Sequence, residues 1–141
     1  MGDVKTAVVK WDGDGMAFLG TLGSGFEFPL GSPAGEERGS PMEFLLAGVA
    51  GCTAVDIVST LRKMRQEITA ITVEISGERA ETHPKVYTRA TLTYIVTGKG
   101  VTTASVERAI SLSKEKYCSA SVMFANAGVQ MESSFRFVEA E

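Results

Sequence analysis

Two cysteines and a single histidine are all that this 141-residue chain offers to thiol or imidazole chemistry. Cys52 and Cys118 stand 66 positions apart with no C-x-x-C pair. That spacing, with one histidine, excludes the simple local metal motifs. In an intracellular chain, reductants keep thiols reduced, so a permanent structural bridge is not expected either. Clusters of basic residues are also missing. With 14 Lys and Arg against 17 Asp and Glu, a net charge of −3 leaves no electrostatic footprint for nucleic acid. Nor does the N-terminus show the basic stretch and apolar run of a signal peptide, and no segment approaches the roughly 20 consecutive apolar residues of a membrane span. These absences predict a cytoplasmic protein with no nucleic-acid partner, no membrane partner, no bound metal and no cofactor.

What is present is globular and rather apolar. Hydrophobic residues make up 44% of the chain and mean hydropathy is +0.08, a surplus that predicts a buried interface between subunits. The length suits one domain over residues 1–141. Ala7 to Trp11, Met16 to Leu19 and Phe26 to Pro29 read as three short strands. Between them lie the turns Asp12-Gly13-Asp14-Gly15 and Gly23-Ser24-Gly25, the pattern of an antiparallel meander. A loop over Gly31 to Gly39 leads to the clearest boundary in the chain. Ser40-Pro41-Met42-Glu43 places serine at the N-cap, proline at N1 and glutamate at N3 of a capping box. From Met42 to Val58 the helix is apolar on nearly every face, as a helix is when it is surrounded. Arg62, Lys63 and Arg65 complement the dipole at its far end.

Ile71 to Ile75 and Val86 to Val96 read as longer strands, the second alternating Val86, Ala90, Leu92, Tyr94 and Val96 with polar residues. A second helix runs through Val106, Ala109, Ile110 and Leu112 and ends near Cys118. The short apolar stretch Val122 to Ala125 follows, then a last strand alternating over Val129 to Phe137. The predicted class is α+β with the order β-β-β-α-β-β-α-β.

Either cysteine is an inert core residue, since free cysteine packs as a small hydrophobe, or it is a redox centre. Reactivity requires the thiolate, and Cys52 lies about three turns inside its helix, beyond the reach of the N-terminal dipole. A cation from elsewhere would be needed. His83, before Pro84, reads as an exposed strand-edge residue. Met42, Met64, Met123 and Met131, with Trp11 and Phe18, read as core or interface packing, or as the walls of an apolar pocket beside a thiol.

The stretch Ser40-Pro41-Met42-Glu43-Phe44-Leu45-Leu46-Ala47-Gly48-Val49-Ala50-Gly51-Cys52-Thr53 resembles the first cysteine helix of the OsmC/Ohr family, the osmotically inducible and organic hydroperoxide resistance proteins. Ser113-Lys114-Glu115-Lys116-Tyr117-Cys118-Ser119 resembles its second cysteine segment, and His83-Pro84-Lys85-Val86 is similar to a phrase of the YhfA-like branch. The resemblance covers residues 4 to 138. It implies antiparallel sheets around two central helices, an intertwined homodimer, and active sites at the subunit interface. It also implies a hydroperoxide substrate attacked by Cys52, a disulfide with Cys118, and a dithiol reductant of dihydrolipoamide type or another small thiol.

The sequence departs from the peroxidase members at their activating groups. Their carboxylate ten residues before the first cysteine is Met42 here. Glu43, nine before, faces roughly 180° from Cys52 at about 100° per helical residue, and is better explained by the capping box. Their arginine comes from the N-terminal strands of the partner chain, where this sequence has Lys5 and Lys10, so Arg38 is the nearest guanidinium. Two alternatives stay open beside the peroxidase: a module of the same fold that binds a small ligand, and thiol-disulfide exchange without peroxide.

Overall fold

Glycine-rich turns separating short β-prone runs fold back on themselves, and in the computed structural model, which describes residues 2–141, they do so at the predicted places. Strands β1 (Ala7–Trp11), β2 (Met16–Leu22) and β3 (Glu27–Ser32) form an antiparallel meander in which Trp11 pairs Phe18 and Phe18 pairs Leu30. Its first turn carries Gly13 and Gly15 at positive φ, and the Trp11 indole N–H donates to the Gly15 carbonyl at 3.0 Å. The residues sort into two compact units, Met1–Leu45 and Leu46–Glu141, divided inside helix α1 (Pro41–Lys63).

Helix α1 begins on the expected capping box. The Ser40 backbone N–H and hydroxyl both donate to Glu43 Oε1 at 2.9 Å, and the Glu43 N–H donates back to Ser40 Oγ at 3.3 Å. It ends in a Schellman turn. Arg65, at φ 60°, donates to the Arg62 carbonyl while Gln66 donates to that of Leu61. At 23 residues, α1 meets the length and composition of a membrane span, contrary to the sequence expectation. Alanine, glycine and threonine keep its average apolar although Asp56 interrupts the run. The core helix of a soluble protein satisfies the same criterion.

The second unit is built on a mixed sheet, β4 (Glu67–Arg79), β5 (Tyr87–Lys99) and β6 (Gln130–Glu139). Strand β4 starts several residues before the predicted Ile71. The β4 and β5 strands pair antiparallel, with Val73 opposite Tyr94 and Ile75 opposite Leu92. The last strand corrects the antiparallel expectation, because β6 lies parallel to β5, with Tyr94 beside Phe135. A parallel neighbour demands a crossover. Here it comprises α2 (Thr103–Leu112), a π-helical turn Ser113–Tyr117, and a third helix, α3 (Ser119–Asn126), where the sequence predicted only a short apolar stretch. Helix α3 is followed, after Ala127, by Gly128, whose φ of 96° suits glycine, and stacks Phe124 on Tyr87 of β5 at 5.8 Å. Within this unit one stripe of α1 (Val49, Ile57, Leu61) joins Leu92, Tyr94 and Val96 of β5 and Val106, Ala109 and Ile110 of α2 in a single core.

The cap is open to test. Ser40→Ala should lower stability by about 1 kcal/mol in urea titrations. Hydrogen bonds from Ser40 hold the Glu43 carboxyl below its ordinary value of 4.5. A depressed carboxyl stabilises the fold above that value and loses the effect as the pH falls through its folded range. Glu43→Ala should therefore destabilise at neutral pH and match the parent under strong acid. An equal deficit at both ends would exclude the ionised cap.

Candidate active site

Thirteen residues into α1 the buried stripe is interrupted by a polar side chain, Thr53, which is 2% exposed. Its hydroxyl lies 3.3 Å from the Tyr94 hydroxyl of β5 and 3.0 Å from the Ser113 hydroxyl at the start of the π-helical turn. Ser113 in turn donates to Asp56 Oδ2 at 3.1 Å. A chain of hydroxyls thus links the sheet, the crossover and one carboxyl of α1. No buried side-chain nitrogen or oxygen among the described residues is without a partner, which is what burial of such groups requires.

Cys52 and Asp56 are one helical turn apart and flank this stripe, both half-buried. Cys118 approaches from the crossover. The sequence reading put it at the end of the second helix; instead it is the N-cap of α3, its sulfur accepting from the Ser121 hydroxyl at 3.0 Å and the Ser121 N–H at 3.4 Å. The π-helical turn sets its position, since the Cys118 N–H closes that turn on the Ser113 carbonyl at 2.7 Å. The outcome is that Cys52 Sγ, Cys118 Sγ and a carboxyl oxygen of Asp56 all lie within 4.8 Å of one another. Both thiols are free.

Cys118 is completely enclosed, and burial pushes its thiol above the ordinary 9.0. The Ser121 hydrogen bonds oppose that shift and the neighbouring Cys52 adds to it. Burial likewise raises Tyr94, against the Thr53 hydrogen bond. Next to this cluster is a cavity of about 190 Å³ with Leu92, Tyr94, Ser121, Ala125 and Met131 in its walls. Apolar cavities of about 150 Å³ hold a benzene-sized group. Of the four methionines singled out from the sequence, Met131 lines that cavity, Met64 packs on the core and Met123 is exposed.

Arg38 and Glu43 belong to the N-terminal unit and have local partners there: Arg38 Nη1 donates to the Pro33 carbonyl at 3.4 Å, and Glu43 is held by Ser40. His83 is exposed, as expected. The sequence reading missed Asp56, Thr53, Tyr94, Ser113 and Ser121. Asp56 had a signal, being the only charged residue between Glu43 and Arg62 in an otherwise apolar helix. The hydroxyls had none, because serine and threonine occur throughout the chain.

The OsmC-like protein family model matches residues 34–134, and Protein YhfA of Escherichia coli (strain K12) is 40% identical over 134 residues, 95% of this chain and 98% of that protein. The chain belongs to the OsmC-like family. Among solved structures, a hypothetical protein from Aquifex aeolicus VF5 is 31% identical to this OsmC-like chain with a TM-score of 0.88, covering 99% of this chain and 100% of that one. At 18% identity, the Organic Hydroperoxide Resistance Protein OhrB of Bacillus subtilis shares the fold, with a TM-score of 0.65 over 95% of this chain and 98% of its own. The Cys52 and Cys118 segments both fall inside the matched range.

Removing the hydroxyl that connects sheet and crossover should be costly. Thr53→Val leaves Tyr94 and Ser113 short of a partner and should lose about 1–3 kcal/mol, as should Ser113→Ala. Because both act on one network, the double variant should lose clearly less than the two combined in a urea double-mutant cycle; strict additivity would show that the hydroxyls act independently.

Proposed function

We propose that this OsmC-like protein is a cysteine-based thiol peroxidase that reduces organic hydroperoxides, serving peroxide defence in the cytoplasm. The observation that carries the reading is the approach of two free thiols from separate helices to within 4.8 Å. A disulfide needs its sulfurs about 2.05 Å apart, so a modest shift of the α3 N-terminus would join them. The name of the Bacillus subtilis protein, which shares the fold, supports the choice of substrate class.

In the proposed cycle the half-buried Cys52 attacks first, as its thiolate. Its sulfur takes the terminal oxygen of ROOH, the O–O bond breaks, and the alkoxide leaves as ROH after taking a proton; Cys52 is then a sulfenic acid. Cys118 attacks that sulfur, giving the Cys52–Cys118 disulfide and one water. A dihydrolipoamide-like dithiol, or another small thiol reductant, returns both thiols by exchange. Burial raises the Cys118 thiol, which disfavours it as the group that meets the peroxide first; when it attacks the sulfenic acid its proton leaves with the departing water. The cavity walled by Met131 and Leu92 would take the organic group R.

A homodimer of single OsmC-like domains is part of this proposal. Val55 of α1 is 70% exposed and Trp11 of β1 is 55% exposed in the single chain, large apolar side chains of the kind subunit interfaces cover.

One observation favours a second reading, a thiol-disulfide exchange or ligand-binding protein of the same fold without peroxidase activity. A carboxyl lies within 4.8 Å of both sulfurs, whereas a peroxidatic thiolate is served by a cation. One equivalent of cumene hydroperoxide added to reduced protein separates the two. Both thiols should vanish within minutes while the intact mass falls by two hydrogens. Cys52→Ser should abolish the reaction, and Cys118→Ser should stop it at a gain of one oxygen. Unchanged thiols and mass would reject the peroxidase in favour of the second reading.

A further inference from the structure

We infer that Cys52, Asp56 and Cys118 form a three-ligand site for a borderline-soft divalent metal ion of the zinc type, with a fourth position open to water. The sequence spacing excluded only local motifs. Folding assembles the ligands from α1 and from the N-cap of α3, and their ligand atoms already lie within 4.8 Å of one another. In a tetrahedral zinc site, with Zn–S about 2.3 Å and Zn–O about 2.0–2.2 Å, neighbouring ligand atoms sit roughly 3.5–3.8 Å apart. The cluster therefore needs to contract by little more than an ångström.

Three further features fit this assignment. First, the charges suit a cation: two thiolates and a carboxylate are three anionic ligands, of which a divalent ion offsets two, and Asp56 has no ion pair among the described residues. Lys63 shares a cavity with Asp56 but makes no ion pair with it. Second, the ligands have outer partners of the kind that orient metal ligands. Ser121 donates its N–H and O–H to the Cys118 sulfur, and Ser113 donates to Asp56 Oδ2 alone, which leaves the other carboxyl oxygen available. Third, the carboxyl of Asp56 is reachable from outside. A cavity of about 230 Å³ borders Asp56, walled by Ser59, Thr60, Lys63 and Tyr117. Donor softness selects the metal: two sulfurs with one oxygen favour Zn²⁺ over Mg²⁺ or Ca²⁺.

Binding follows M²⁺ + 2 RSH → M(SR)₂ + 2 H⁺, with no change in oxidation state. Metal occupancy and the Cys52–Cys118 disulfide exclude each other, because each uses both sulfurs. A loaded site would hold the pair reduced until the metal leaves. This inference uses the same two thiols as the proposed peroxidase but does not depend on peroxide chemistry.

The test uses reduced full-length protein and Co²⁺, a spectroscopic stand-in for Zn²⁺. One equivalent of Co²⁺ should produce a thiolate-to-cobalt charge-transfer band that Zn²⁺ abolishes, with two protons released per metal in weakly buffered solution. Cys52→Ser and Cys118→Ser should each lose tight binding. Asp56→Asn keeps an acceptor for Ser113 and so the fold, yet should weaken Co²⁺ binding about tenfold or more. X-ray absorption of zinc-loaded parent protein needs no variant and should show two sulfurs with oxygen neighbours. Absence of the cobalt band, unchanged affinity in a folded Asp56→Asn variant, or four sulfurs around zinc would each overturn the site. A protein that binds Co²⁺ but ignores cumene hydroperoxide would keep this inference and sink the peroxidase; the reverse result would do the opposite.

Discussion

Burial of a single stripe of α1 decides where the chemistry can occur. Val49, Thr53, Ile57 and Leu61 recur every fourth residue on the covered face, and removing side chains such as Ile57 or Leu61 typically costs about 2–5 kcal/mol. With that stripe fixed in the core, helix geometry leaves Cys52 and Asp56 no freedom: they must flank it, half-buried, one turn apart. The hydrogen bonds from Thr53 to Tyr94 and Ser113 then tie the same stripe to β5 and to the crossover. Position along the helix and position against the sheet are fixed by one residue, and the thiol beside it inherits both.

The second sulfur depends on the parallel pairing of β6 with β5. A parallel strand obliges the chain to cross over, and the crossover passes the flank of α1 where Cys52 lies. The π-helical turn widens the backbone at Ser113–Tyr117, and such insertions are frequent at functional sites. It delivers Ser113 to the Thr53–Asp56 pair and then releases Cys118 as the cap of α3. Two roles meet in Cys118: it accepts the hydrogen bonds of Ser121 as any N-cap would, and it brings its sulfur to Cys52.

Much of this architecture was legible in the residues, and the part that was not shows why. The meander followed from Gly13, Gly15 and Gly25 between β-prone runs, and the start of α1 from Ser40 and Glu43, because turn and cap preferences are local. The alternation over Val86 to Val96 announced β5 for the same reason. Helix α3 was hidden because Ser119–Asn126 has no polar face and its cap is a cysteine, a residue outside the usual N-cap set. The direction of β6 was hidden too, since alternation marks a strand without saying which neighbour it takes. At the site, the cysteines were visible and their surroundings were not: Thr53, Ser113, Tyr94 and Ser121 acquire meaning only from contacts 3 to 60 positions away in sequence.

Asp56 is where the readings of the site diverge. A thiolate gains from a cation and loses from an anion nearby, so a carboxyl at this place opposes activation of a lone nucleophile. Its cost would be repaid where both sulfurs and the carboxyl share one positive charge, or where an oxidised pair no longer carries charge at all. The disulfide is neutral, and a bound divalent ion offsets two of the three negative charges. Both end states relieve the crowding that the reduced, metal-free site suffers when its thiols ionise. The short separations among Cys52, Asp56 and Cys118 therefore favour protonated thiols over a free dithiolate, and a metal or a disulfide, where formed as proposed, would carry less negative charge at the same place.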